Sequence, residues 1–94
     1  MASVSKDEII RKMESLNDGA RLSLRLDRAF GAGAVIIELN PSYKDKGQKK
    51  YFMWWGQDEV KAKAKSPLLS SDKAKNIAGW VADRGPQWAA QVAN

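Results

Sequence analysis

The chain has 94 residues, of which 44% are hydrophobic and 29% charged, a balance that suits one folded domain over residues 1–94 and excludes wholesale disorder. It contains no cysteine and no histidine, which excludes a disulfide scaffold, thiolate or imidazole metal ligation and the commonest general base. Sixteen Lys and Arg against eleven Asp and Glu leave a formal net charge of +5.

Residues Met1 to Glu8 carry no apolar signal core, and no apolar run approaches the ~20 residues of a membrane span. A cytoplasmic protein without membrane contact is the expectation. Ser5 with Glu8 forms a capping-box pattern, and Asp7 and Glu8 favour the positive end of a helix dipole. Ile9, Ile10, Met13 and Leu16 then recur at helical spacing, which predicts a first helix over Lys6 to Asn17, ended by Asn17-Asp18-Gly19.

The period then changes to two. Arg21 to Asp27 alternates without a break, so Leu22, Leu24 and Leu26 share one face of a strand and Arg21, Ser23, Arg25 and Asp27 the other. Gly31-Ala32-Gly33 reads as a turn, since neither a third glycine nor a Lys-Ser/Thr pair follows to make a phosphate loop. Ala34 to Leu39 is the second strand, closed by Asn40-Pro41. Ser42 to Gln48 is polar and lysine-rich and is expected to be mobile, with 44–50 as a basic loop. Tyr51-Phe52-Met53-Trp54-Trp55 is a third strand by its aromatic content.

Val60-Lys61-Ala62-Lys63-Ala64-Lys65 alternates again. Taken alone this run is ambiguous, because Ala and Lys are good helix formers and Asp58-Glu59 could start a helix. A hairpin turning at Gln57 and Asp58 would set Trp55 opposite Val60, Met53 opposite Ala62 and Tyr51 opposite Ala64, gathering apolar residues on one face. The other face would collect Lys50, Phe52, Trp54, Lys61, Lys63 and Lys65. That register favours a fourth strand. A second helix is expected from Ser70 or Ser71, with Ala74, Ile77, Ala78 and Val81 buried and Trp80 flanking. Arg84-Gly85-Pro86 should stop it, leaving 87–94 as a short C-terminal segment in which Trp88 and Val92 stand four apart.

The plan is α+β: a helix, a four-stranded antiparallel meander and a helix, in two layers with both helices on one sheet face. From Lys44 to Lys75 there are nine basic residues (Lys44, Lys46, Lys49, Lys50, Lys61, Lys63, Lys65, Lys73, Lys75) and four acids (Asp45, Asp58, Glu59, Asp72). The whole surplus of five therefore falls in that third of the chain, which is the pattern of a polyanion-binding surface.

The outer sheet face would carry Arg21, Arg25, Phe52, Trp54, Lys61, Lys63 and Lys65, with Ile36 and Glu38 of the same parity. Together with Lys49 and Lys50 these residues suit nucleic acid. Bases of a single-stranded DNA or RNA would stack on Phe52 and Trp54 at roughly 1–3 kcal/mol each while lysines track phosphates. Lys44 and Lys46 would extend the track, and Lys73 and Lys75 would join it at one end. The runner-up is a protein-interaction module or homodimer using Trp54, Trp55, Trp80, Trp88 and a sheet edge, the lysines guarding that edge against aggregation. No carboxylate pair sits at a spacing that forces a shared site, so neither an enzyme, a cofactor nor a metal is expected. The order of elements, and Ala74-Lys75-Asn76-Ile77-Ala78, partly resemble double-stranded RNA-binding domains and the Ala-Lys-x-x-Ala core of their second-helix motif. Ser71-Asp72 stands where that motif has paired lysines, so the family is not assigned and duplex RNA is a sub-option.

Overall fold

The computed structural model describes residues 5–16, 22–27 and 33–93. Arg21, the Asn17-Asp18-Gly19 ending and Gly31-Ala32 lie outside them, as do the side chains of Trp88 and Val92. Helix α1 spans Lys6–Ser15 and begins as its pattern predicts, Ser5 Oγ accepting from the Glu8 N–H at 3.1 Å. Ile9 and Met13 on its stripe are fully buried, and Leu16 caps its end.

Strands β1 (Ser23–Asp27), β2 (Ala34–Leu39) and β3 (Tyr51–Gly56) pair antiparallel in chain order. The alternation read from the sequence places Leu24, Leu26, Val35, Ile37, Leu39, Tyr51, Met53 and Trp55 on one sheet face. That face packs on Ile9 and Met13 of α1, on Leu16 at its C-cap, and on Ile77, Ala78 and Val81 of the last helix, forming the main core. Two long helices on one face of an antiparallel sheet is thus the architecture, as expected.

Three elements differ from their sequence reading. Val60 to Lys65 is not a strand: Glu59–Lys63 is a short helix, α2. Asp58 is its N-cap, accepting from the Lys61 N–H at 2.9 Å, and Glu59 occupies the first turn. Capping and the helix preference of Ala and Lys outweigh the alternation, because the aromatic face needs a cover more than an extra edge. The fourth strand is instead β4 (Leu69–Ser71), which pairs with β3 through Tyr51↔Ser71, Phe52↔Ser70 and Met53↔Leu69. Accordingly the last helix, α3, starts at Ala74 rather than Ser70 or Ser71, and it runs on through Pro86 to Ala93. Gly85 carries no Cβ to clash with the proline ring, so the usual bar against α geometry before proline is relieved. Pro86 still removes one N–H from the helix ladder.

Candidate functional site

Antiparallel register carries lysines from separate stretches of chain to one end of the sheet. Leu39 pairs with Tyr51 and Tyr51 with Ser71, so the next row beyond the ladder is Asn40, Lys50 and Asp72. The Asn40 N–H donates to the Lys50 carbonyl at 2.8 Å, and the Lys50 N–H donates to Asp72 Oδ1 at 3.1 Å. Lys49 Nζ stands 3.8 Å from Asp72 Oδ2. Lys44, Lys46, Lys49 and Lys50 belong to the β2–β3 connection, while Lys73 and Lys75 follow Asp72 into the start of α3. The β2–β3 connection and the Asp72–Lys75 stretch thus bring six lysines and two acids, Asp45 and Asp72, to this end.

The connection is not the loose loop its composition suggests. Asn40 is buried, and both halves of its amide are used. Its Nδ2 donates to Gln48 Oε1 at 3.1 Å and to the Lys49 carbonyl at 2.9 Å, and its Oδ1 accepts from the Ser42 N–H at 3.0 Å. Successive turns close between, with Tyr43, Asp45 and Gln48 N–H groups donating to the carbonyls of Asn40, Ser42 and Asp45. Tyr43 packs half-buried against the main core, with Lys50 Nζ 5.2 Å and Lys44 Nζ 5.9 Å from its ring centroid. The lysines are thus carried on a braced frame, which lowers the ordering cost of engaging a ligand.

The opposite sheet face is a different matter. Its cross-strand rows are Ser23, Glu38, Phe52, Ser70 and Arg25, Ile36, Trp54, so Arg25, Phe52 and Trp54 do share a face as expected. Helix α2 lies over them. Ala62 packs with Ala34, Ile36 and Trp54 in a second small core that Phe52 flanks. Trp54 Nε1 donates to the Lys65 carbonyl at 3.1 Å, and Lys63 Nζ sits 4.0 Å from the indole centroid. Trp54 retains 8% exposure. Lys63 is also ion-paired with Glu38, Arg25 Nη1 meets Glu59 Oε2 at 2.7 Å, and Lys61 Nζ donates to Gln57 Oε1 at 2.7 Å. Of the expected stacking platform, Trp54 is therefore internal packing under the 58–65 segment and Phe52 is half-covered.

No protein-family model, no curated protein and no solved structure matches this chain.

Of the nine residues that the sequence nominates, Lys49 is exposed and Lys50 half-buried at the multi-lysine end, Arg25, Trp54 and Lys63 tie α2 and the segment after it to the sheet, and Lys61 bonds to Gln57 just before α2. Phe52 is half-buried, 6.1 Å from Trp54 in an edge-to-face contact; Lys65 is exposed beyond α2, and Arg21 lies outside the described residues. Asn40, Tyr43 and Asp72 were missed. Asn40-Pro41-Ser42 does carry an Asx-turn pattern, but its wider role depends on a loop closing eight and nine residues away. Chemically, the basic end offers several ammonium groups to an anion.

Proposed function

We propose that the protein binds nucleic acid through the phosphate backbone at the basic end of the sheet, with Lys44, Lys46, Lys49, Lys50, Lys73 and Lys75 as contacts. It acts as a binding protein and not as an enzyme. The observation that carries this reading is the convergence of those lysines through the Asn40–Lys50–Asp72 row. Lys73 and Lys75 add to it. They stand at the positive end of the α3 dipole, where a cation disfavours the helix by up to about 1 kcal/mol, so helix stability does not explain them.

Lysine acts as a point charge, which implies backbone recognition with little base reading. A single strand is the better fit, since a flexible chain can follow lysines spread over a loop and a helix start. With Trp54 buried, stacking on the sheet contributes nothing to this version of the reading. The test is fluorescence anisotropy of short labelled single-stranded DNA, single-stranded RNA and duplex RNA between about 50 and 200 mM salt. Engagement of about four phosphates predicts a log–log slope near −3 for the single strands. Absence of binding at the lowest salt contradicts the reading.

A second reading, a homodimer or protein-interaction module, is favoured by β1, which has no strand on its outer side among the described residues, and by Val60 at 80% exposure. The tryptophans support it less than expected, Trp54 being buried and Trp55 and Trp80 half-buried. Self-association that ignores ionic strength would favour it.

A further inference from the structure

The Asp72 carboxylate is an anion already seated in the basic end. One of its oxygens takes the Lys50 N–H at 3.1 Å, and the other lies 3.8 Å from the Lys49 ammonium. A backbone N–H and an ammonium converging on two oxygens of one anionic group is also how proteins hold the two free oxygens of a phosphodiester. We infer that Asp72 is an internal stand-in for the ligand, and that one phosphate of a bound strand replaces its carboxylate on the Lys50 N–H and the Lys49 ammonium. Asp72 then sets the affinity by competing for that position. This rests on the nucleic-acid reading above and assigns the position of one phosphate within it.

Two observations favour displacement over a permanent brace. The ion pair is wet, the Lys49 and Asp72 side chains being 55% and 61% exposed, and exposed pairs contribute little to stability. The start of α3 also does not depend on Asp72. Ser71 Oγ, not the Asp72 carboxylate, takes the Lys73 N–H at 3.1 Å and Asn76 Nδ2 at 3.2 Å, and the Lys73 carbonyl accepts the Asn76 N–H at 3.2 Å. Asp72 turns instead to the lysine loop, and β4 keeps its pairing to Tyr51, Phe52 and Met53 without it. Releasing the carboxylate leaves strand and helix start intact. A phosphodiester carries the same single charge, so the exchange at the seat is neutral, but the freed carboxylate stays nearby and repels the ligand.

The experiment is an amide ¹H–¹⁵N titration with a short single-stranded oligonucleotide at low salt, on the wild type, Asp72→Asn and Asp45→Asn. The expected result is a shift of the Lys50 amide in the wild type. Affinity should rise roughly threefold to fivefold for Asp72→Asn and less than about twofold for Asp45→Asn, which removes the same charge from the same end. Binding that leaves the wild-type Lys50 amide unmoved would overturn the inference while the nucleic-acid reading stands, and so would equal gains from the two variants or weaker binding by Asp72→Asn. Should Asp72→Asn fail to fold, the wild-type amide decides alone. If no oligonucleotide binds either the wild type or Asp72→Asn, the nucleic-acid reading falls and the inference with it.

Discussion

Asn40 shows how one polar side chain can organise a surface. Its amide satisfies the Ser42 N–H, the Lys49 carbonyl and Gln48 Oε1 at once, and its backbone N–H holds the Lys50 carbonyl. Truncation would leave the Lys49 carbonyl and Ser42 N–H without those partners in a part-buried setting. Asn40→Ala should therefore cost about 1–3 kcal/mol. For a domain of this size each kcal/mol lowers Tm by about 4–8 °C, so thermal denaturation followed by circular dichroism reads the effect directly. An unchanged Tm would mean that the loop is held by its turns alone. The residue was legible only as the stop of a strand, because a side chain that bonds across eight or nine positions leaves no local signature beyond its Asx turn.

At the scale of elements, α2 is where physical chemistry and pattern diverge. A five-residue helix has almost no stability of its own and must be held by its surroundings. The Asp58 cap holds its start, Arg25 meets Glu59 near that start, and Glu38 meets Lys63 at the other end. Reversing the helix on the sheet would set acid against acid and base against base, so the two ion pairs specify its direction. Gly56 lets it approach: a Cβ there would come within 2.8 Å of the Ala62 backbone. Gly56→Ala should destabilise the fold by about 1–3 kcal/mol, measured by urea unfolding. Arg25→Glu alone should cost up to about 1 kcal/mol, and Arg25→Glu with Glu59→Arg should recover most of it. No recovery would show that the pair does not hold the helix. The misreading of Val60 to Lys65 has a plain cause. Ala62 is the sole buried position on α2, and one buried residue has no period, so alternating Ala and Lys fits a strand equally well. The longer elements suffered no such ambiguity. Ile9 and Met13 on α1 with Leu16 at its cap, and Ile77, Ala78 and Val81 on α3, each repeat often enough for their spacing to decide.

The whole molecule follows from which sheet face each helix covers. Helices α1 and α3 bury one face and α2 covers part of the other, so no wide sheet surface remains open at Trp54. The lysine surplus of the middle third was visible in composition, but its division was not. Lys61, Lys63 and Lys65 go with α2, whereas Lys44, Lys46, Lys49, Lys50, Lys73 and Lys75 gather at the end set by the Leu39–Tyr51–Ser71 row. That division required knowing which segment is β4, and three residues, Leu69–Ser71, are too few to announce themselves by alternation.

The most direct test compares two double variants of equal charge: Lys46→Gln with Lys73→Gln at the basic end, and Lys61→Gln with Lys65→Gln on and beyond α2. Their single-stranded oligonucleotide affinities are measured against salt, alongside the wild type. The basic-end pair should bind roughly tenfold more weakly and flatten the log–log salt slope by about 1.4, two phosphate contacts' worth, while the α2 pair stays close to wild type. Equal losses from the two pairs, or a larger loss from the α2 pair, would contradict the placement of the site.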